Sequence, residues 1–121
     1  MKSKKKYTII VSTLIVLCLY SIPVYAYSYS GVSKFTNKSS YVGGYSYTSG
    51  SGTQSVSVTS ALYCDGELMD DKYGAGVTYA QADVGSNADR SQTHYWMIDG
   101  RHVANGSYTY KESSDSYTFN P

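Results

Sequence analysis

The sequence predicts an all-β protein, a small antiparallel β-sandwich of about seven or eight short strands. Two observations indicate this class. After residue 26 the chain is dominated by Tyr, Ser, Thr, Val and Gly. Tyr, Thr and Val suit strands, whereas Ser and Gly weaken helices. Apolar and polar residues also alternate over most of this part, and no window shows apolar residues at helical spacing.

The first 26 residues have the plan of a secretory signal peptide. A lysine-rich start is followed by an apolar stretch from Tyr7 to Tyr20, and Val24-Tyr25-Ala26 supplies the small residues that a signal peptidase recognises. The apolar stretch is shorter than the roughly 20 residues of a membrane-spanning helix. Cleavage between Ala26 and Tyr27 is therefore favoured over a membrane anchor. We expect a protein secreted to the extracellular medium, and the lysine run favours a Gram-positive host.

The net charge and the length of the chain after cleavage limit its possible partners and its number of domains. Four of the ten basic residues precede residue 27 and all nine acidic residues follow it, so residues 27–121 carry a net charge of −3. This balance argues against nucleic acid as a partner, because nucleic-acid binding needs clustered Lys and Arg. The length suits one small domain. Within it, residues 27–53 form a Tyr/Ser/Gly-rich segment that is either part of the sheet or disordered, and residues 54–121 form the core β domain.

The clearest element is a hairpin around Asp65-Gly66, a pair that can adopt the positive φ of a two-residue turn. This turn would place Cys64 opposite Glu67 and Leu62 opposite Met69. The strand before the turn alternates apolar with mostly polar residues, and its apolar set is Val56, Val58, Leu62 and Cys64.

The remaining strands follow from the same signals. Turns at Asp99-Gly100 and Asn105-Gly106 predict a three-stranded meander over residues 93–111, in which Trp96 faces Val103. Residues 41–48 and 76–84 are further strands, and residues 116–119 could close an edge. The predicted core consists of Val56, Val58, Leu62, Met69, Ala80, Ala82, Trp96, Ile98 and Val103.

Cys64 is the one cysteine after residue 26, so it cannot form an internal disulfide. Its apolar neighbours favour a small buried residue over a reactive thiol, and hence a monomer over a Cys64-linked dimer. A Cys–His hydrolase with His94 or His102 as the base is the alternative. However, a thiol in mid-strand lacks the helix N-terminus that often lowers a cysteine pKa. We therefore predict no catalytic residues and no enzyme.

The sequence also gives no strong indication of a metal or cofactor site. The turn at Asp99-Gly100 would place His102 on the face away from His94, so the two histidines would not share an ion. The acidic residues near the first hairpin lack EF-hand spacing and are interpreted as solvated turn carboxylates. These residues are Asp65, Glu67, Asp70 and Asp71. The chain has neither a Gly-x-Ser-x-Gly elbow nor a phosphate-binding glycine loop. We predict no metal site and no cofactor.

The tyrosines are the remaining candidates for a binding surface. Twelve of the fifteen tyrosines follow residue 26, which is more than a core of this size can bury. Because a tyrosine combines a flat apolar ring with a polar tip, it is favoured at contact surfaces. The alternative is that Tyr/Ser strands simply form a soluble outer sheet. If the tyrosines bind, the fitting partners are peptidoglycan, a cell-wall precursor or a membrane interface. The candidate aromatic face is Tyr45, Tyr47, Tyr108 and Tyr110.

The alternating strands Gly44-Tyr45-Ser46-Tyr47 and Ser55-Val56-Ser57-Val58-Thr59, on a short exported chain, resemble the lactococcin-type bacteriocins of Gram-positive bacteria. The resemblance is architectural, covers residues 27–110 and assigns no functional residue. It implies export by a signal peptide, a compact β-sandwich and interference with cell-wall synthesis at the septum. The expected function is a secreted, non-catalytic β module that acts on or binds the cell envelope. The alternatives are a structural or adhesive protein of the producer's own surface or matrix, and a small Cys/His hydrolase.

Overall fold

Seven antiparallel strands in two sheets make up the computed structural model, which describes residues 27–121 and confirms the predicted all-β class. The first sheet has the order β1-β2-β5 and the second the order β4-β3-β6-β7. The predicted signal peptide lies outside the described residues. Within residues 27–121 there is no helix that could cross a membrane. The strands are β1 (Ser28–Lys38), β2 (Tyr41–Ser51), β3 (Val56–Cys64), β4 (Glu67–Gly76), β5 (Tyr79–Asn87), β6 (His94–Ala104) and β7 (Lys111–Phe119).

The Tyr/Ser/Gly-rich segment 27–53 supplies two of the three strands of the first sheet. β1 pairs with β2 along nearly its whole length, with a bulge between Phe35 and Asn37, and β2 pairs with β5 on its other side. Gly44 of β2 lies so close to the Lys34 carbonyl and the Ile98 side chain that a Cβ would collide with both. A glycine is therefore required at this position of the central strand, because β1 and the Ile98 side chain leave no room for a Cβ.

The predicted turn at Asp65-Gly66 is present, with φ of 52° and 83° at the two residues. Cys64 pairs with Glu67, as expected. One step further a bulge shifts the register, so that Leu62 pairs with Asp70 and not with Met69. The prediction that Met69 belongs to the core was wrong for this reason. The extra residue of the bulge turns Met69 outward, and Met69 is 41% exposed.

The predicted turn at Asp99-Gly100 was wrong. β6 runs without interruption through both residues, because it lies between β3 and β7 and pairs with each of them. Gly100 is buried, and a Cβ at this position would lie 2.6 Å from the Ser33 hydroxyl and 2.8 Å from that of Ser46. Close packing, and not a turn, explains this glycine.

The turn at Asn105-Gly106 is present, with φ of 53° and 64°. The strand expected directly after it is not, because residues 107–110 form a loop and β7 begins only at Lys111. Val103 pairs with Ser57 in the neighbouring strand, does not face Trp96, and is only half-buried.

Two apolar clusters fill the space between the sheets. Seven of the nine predicted core residues are buried; the exceptions are Met69 and Val103. The first cluster consists of Phe35, Val42, Leu62, Val84, Trp96 and Ile98. The second consists of Val56, Val58, Ala80, Ala82 and Ala104. Between them lies a layer of hydrogen-bonded polar side chains, here called the polar belt: Ser33, Ser46, Thr48, Ser60, His102 and Ser113.

Candidate functional site

Three stacked tyrosines occupy the outer surface of the first sheet. Tyr45 and Tyr47 alternate with buried residues along β2, so both point away from the core. Tyr79 begins β5, which pairs with β2. The ring centroids of Tyr45 and Tyr47 lie 5.9 Å apart, and those of Tyr47 and Tyr79 lie 5.6 Å apart, with both pairs close to parallel. We call Tyr45, Tyr47 and Tyr79 the tyrosine face.

Polar side chains continue the tyrosine face along β5. The hydroxyl of Tyr79 donates to the side-chain oxygen of Gln81, and the amide of Gln81 donates to a carboxylate oxygen of Asp83 at 2.8 Å. Partial loss of water and the neighbouring Tyr45 and Tyr47 raise the pKa of Tyr79, so its hydroxyl remains a hydrogen-bond donor over a wide pH range. The sheet thus presents flat apolar rings beside an ordered row of donors and acceptors.

A groove of about 640 Å³ opens at the end of the tyrosine face. Tyr45 and Gln81 belong to both features, and Tyr41 forms one wall. Charged side chains reach the groove from β4, where the ammonium group of Lys72 lies 3.3 Å from a carboxylate oxygen of Asp70. The groove can therefore offer both signs of charge to a polar ligand.

The structure divides the predicted aromatic face. Tyr45 and Tyr47 lie together on the first sheet, but Tyr108 and Tyr110 lie in the loop between β6 and β7. Tyr108 is fully exposed. The ring of Tyr110 lies under the guanidinium of Arg101, 4.4 Å from its carbon atom, on the second sheet. The third member of the tyrosine face, Tyr79, was not among the predicted residues.

Cys64, Asp65 and His94 meet at one end of the second sheet. One ligand atom from each lies within 4.8 Å of the other two. His94 Nδ1 is 2.6 Å from Asp65 Oδ2, and the thiol of Cys64 is 3.9 Å from the same oxygen. We call these three residues the cysteine–histidine cluster. The sequence analysis predicted that Cys64 is a small buried residue and that Asp65 is a solvated carboxylate, whereas Cys64 is half-buried beside Asp65 and His94. The cluster could not be predicted because the pairing of β3 with β6, which brings His94 to the turn, is not local.

Hydrogen bonding and burial set the protonation of this cluster. The backbone N–H of Tyr95 and then the His94 ring hold the pKa of Asp65 below its ordinary value, and the hydrogen bond that His94 donates to Asp65 raises the pKa of His94. Burial raises the pKa of the Cys64 thiol, and the negative charge of Asp65 adds to this. A nucleophilic cysteine needs a lowered pKa, so this environment does not favour a Cys–His hydrolase.

The two histidines do not form a joint site, although the reason differs from the one expected. Both lie on the inward side of the unbroken strand β6, eight positions apart. His94 belongs to the cysteine–histidine cluster at the start of the strand. His102 is fully buried in the polar belt, where it contacts Thr48 and Ser113.

No protein-family model and no curated protein matches this sequence. Among solved structures, it is similar to the CARDB domain of PF1109 from Pyrococcus furiosus, with 10% identity, a TM-score of 0.50, and coverage of 77% of this chain and 94% of that one. A crystal structure of the same domain in complex with di-metal ions has 12% identity and a TM-score of 0.49, over 77% and 93% of the two chains. The β-glucuronidase of Ruminococcus gnavus matches at 13% identity with a TM-score of 0.35, over 77% of this chain and 15% of the enzyme. The first likeness shows the fold alone: a β domain with the architecture of a CARDB domain.

Proposed function

We propose that this protein is an exported, non-catalytic β module that binds the bacterial cell envelope in the manner of a bacteriocin. The tyrosine face is the proposed contact surface. The observation that carries the proposal is the row of three stacked rings on the outside of the first sheet, bordered by the side chains of Gln81 and Asp83. Large aromatic rings in a row are uncommon on a surface that has only to remain soluble.

The glycan chains of peptidoglycan are the ligand that suits this surface best. A sugar ring has an apolar face of C–H groups, which packs on a flat aromatic ring, and an edge of hydroxyls. Carboxylate and amide side chains such as those of Asp83 and Gln81 accept hydrogen bonds from these hydroxyls. The net charge of −3 after residue 26 adds no attraction to anionic lipid, which favours the glycan over the membrane surface.

Sedimentation with insoluble peptidoglycan tests the proposal. The protein should sediment with it, and Tyr47→Ser, which removes the middle ring of the stack, should weaken binding about tenfold, or ~1.4 kcal/mol. Tyr108→Ser is the matched control, because it removes an exposed tyrosine away from the face and should leave binding unchanged. Equal binding by the Tyr47→Ser variant, with its fold confirmed by circular dichroism, would contradict the proposal.

Growth assays distinguish the competing functions. A bacteriocin-like module should inhibit related strains, and Tyr47→Ser should reduce the inhibition. An adhesive or structural protein should bind the producer's envelope without inhibiting any strain. Release of soluble peptidoglycan fragments that is abolished by Cys64→Ala would assign a hydrolase instead.

The export step has its own measurement. Mass spectrometry of the culture medium should find a protein that begins at Tyr27. A protein that retains residues 1–26, or that stays with the cells, would show that the exported form is not as proposed.

A further inference from the structure

We propose that the cysteine–histidine cluster binds a zinc ion. Cys64, Asp65 and His94 supply a sulfur, an oxygen and a nitrogen, a set of donors that suits zinc better than calcium or magnesium. The three come from two places in the sequence, since Cys64 and Asp65 are adjacent at the β3–β4 turn whereas His94 begins β6. A shared ion would join that turn to the central strand.

The distances between the donor atoms are close to those that a zinc site requires. In a tetrahedral site with bonds of about 2.0–2.3 Å, neighbouring donors lie about 3.3–3.6 Å apart. Here the Cys64 sulfur and Asp65 Oδ2 are 3.9 Å apart, and Asp65 Oδ2 and His94 Nδ1 are 2.6 Å apart. The third separation, between the donors of Cys64 and His94, is no more than 4.8 Å, so shifts of about 1 Å would place the three donors around one ion. Three protein ligands leave a fourth position for water or a ligand group.

Asp65 is held in position for this role before any ion binds. Its backbone N–H donates to the Tyr95 carbonyl oxygen at 2.8 Å, and the Tyr95 N–H donates to Asp65 Oδ1 at 2.8 Å. This pair of bonds occupies Oδ1 and turns Oδ2 toward His94 and Cys64. The oxygen that would ligate is thus oriented by the backbone of β6.

The second ring nitrogen of His94 supports the same assignment. His94 Nε2 is buried without a hydrogen-bond partner, and a carboxylate oxygen of Asp89 lies 3.8 Å away. A histidine that ligates a metal commonly donates its other N–H to a carboxylate, which fixes the ring. A small movement of Asp89 completes this arrangement when Nδ1 holds the ion.

The charge of the surroundings also favours a cation. Asp65, Asp89 and Glu67 all act on Cys64 as negative charges, and among the described residues His94 is the only cationic side chain within 4 Å of the carboxylates of Asp65 and Asp89. On binding, zinc displaces the thiol proton of Cys64 to solvent and bonds to the thiolate.

Titration of the purified, untagged and reduced protein with Co²⁺, as a spectroscopic substitute for zinc, tests the proposal. A thiolate-to-cobalt charge-transfer band should appear with one ion per chain and disappear when Zn²⁺ is added. Cys64→Ser should abolish the band, and His94→Gln and Asp65→Asn should each weaken Zn²⁺ binding at least tenfold. Asp89→Asn should weaken it about tenfold to a hundredfold by loosening the ring.

Asp71→Asn is the matched control, since it removes an exposed carboxylate of the same hairpin outside the cluster and should leave binding unchanged. Two results would overturn the proposal. One is the absence of a band in the wild-type protein. The other is a band that depends on Cys64 but keeps its strength in correctly folded His94→Gln and Asp65→Asn variants, because that would be a simple thiol adduct. If either of these variants fails to fold, the Asp89→Asn and Asp71→Asn proteins supply the comparison.

Discussion

His102 shows how one residue can determine the state of a buried network. The Thr48 hydroxyl donates to the Ser57 carbonyl oxygen at 2.8 Å, so toward His102 it can only accept. His102 Nδ1 therefore carries the ring proton, and Nε2 accepts from the Ser113 hydroxyl at 2.7 Å. Ser113 in turn accepts from Ser33, also at 2.7 Å. These hydrogen bonds of the polar belt therefore all donate in the same direction, and the neutral state of His102 determines that direction.

The protonation of His102 should make the stability of the protein depend on pH. Burial lowers the pKa of His102 below its ordinary value of 6.5, so below pH 6.5 the unfolded chain binds a proton that the folded one does not. The free energy of unfolding should fall with decreasing pH, by up to about 1.4 kcal/mol per unit, until the folded pKa is reached. Denaturation of the His94→Gln variant in the presence of a chelator measures this, because His102 is then the sole histidine. A flat profile between pH 7.5 and about pH 5 would contradict the prediction.

At the scale of the elements, one carboxylate ties the two sheets together. The bulge beside Leu62 brings Asp70 of β4 opposite that residue, and Asp70 Oδ2 accepts a hydrogen bond from the Gly85 N–H of β5 at 3.0 Å. β4 and β5 are edge strands of different sheets. The hydrogen bond from Gly85 holds the pKa of Asp70 below its ordinary value of 3.8.

Asp70→Ala should therefore destabilise the protein by about 1–3 kcal/mol at neutral pH, because it leaves the Gly85 N–H without its acceptor. Asp71→Ala, at an exposed neighbouring position, should change stability by less than about 0.5 kcal/mol. The contribution of Asp70 is present above pH 3.8 and is lost as the pH falls through its folded pKa. The wild type and Asp70→Ala should consequently converge toward about pH 2 in chemical denaturation. A constant difference at all pH values would show that the carboxylate charge is not responsible.

The elements also show what the sequence could predict. The Asp65-Gly66 and Asn105-Gly106 turns were correct, because both pairs lie just after the end of a strand, where they adopt positive φ. Asp99-Gly100 has the same composition, yet pairing with β3 and β7 keeps it extended. Local turn chemistry decided the outcome only where non-local pairing did not oppose it.

The same distinction applies to the candidate sites. The spacing of Tyr45 and Tyr47 on one strand predicted that they share a face, and their rings stack. Tyr108 and Tyr110 have the same spacing but lie in a loop, where alternation has no structural meaning. Tyr79 and His94 reach their partners through β2–β5 and β3–β6 pairing, which a single sequence does not reveal.

At the scale of the whole molecule, the polar belt separates the two apolar clusters. Strands β3 and β6 nevertheless pass through both clusters: Val58 and Leu62 lie on either side of Ser60, and Ala104 and Ile98 on either side of His102. Since each strand is continuous and the belt is fully hydrogen-bonded, loss of one cluster should remove the support of the other. The domain should therefore unfold as one cooperative unit.

Substitutions in the two clusters test this cooperativity. Leu62→Ala in the first cluster should cost about 2–5 kcal/mol, and Val58→Ala in the second about 2 kcal/mol, because both side chains are fully buried. Trp96, the single tryptophan, lies in the first cluster, so its fluorescence reports that cluster, whereas far-UV circular dichroism reports both sheets. In each variant the two signals should give the same midpoint, lowered by roughly 4–8 °C per kcal/mol. If Val58→Ala shifted the dichroism while the Trp96 transition stayed at the wild-type temperature, the belt would divide the protein into two independently unfolding halves.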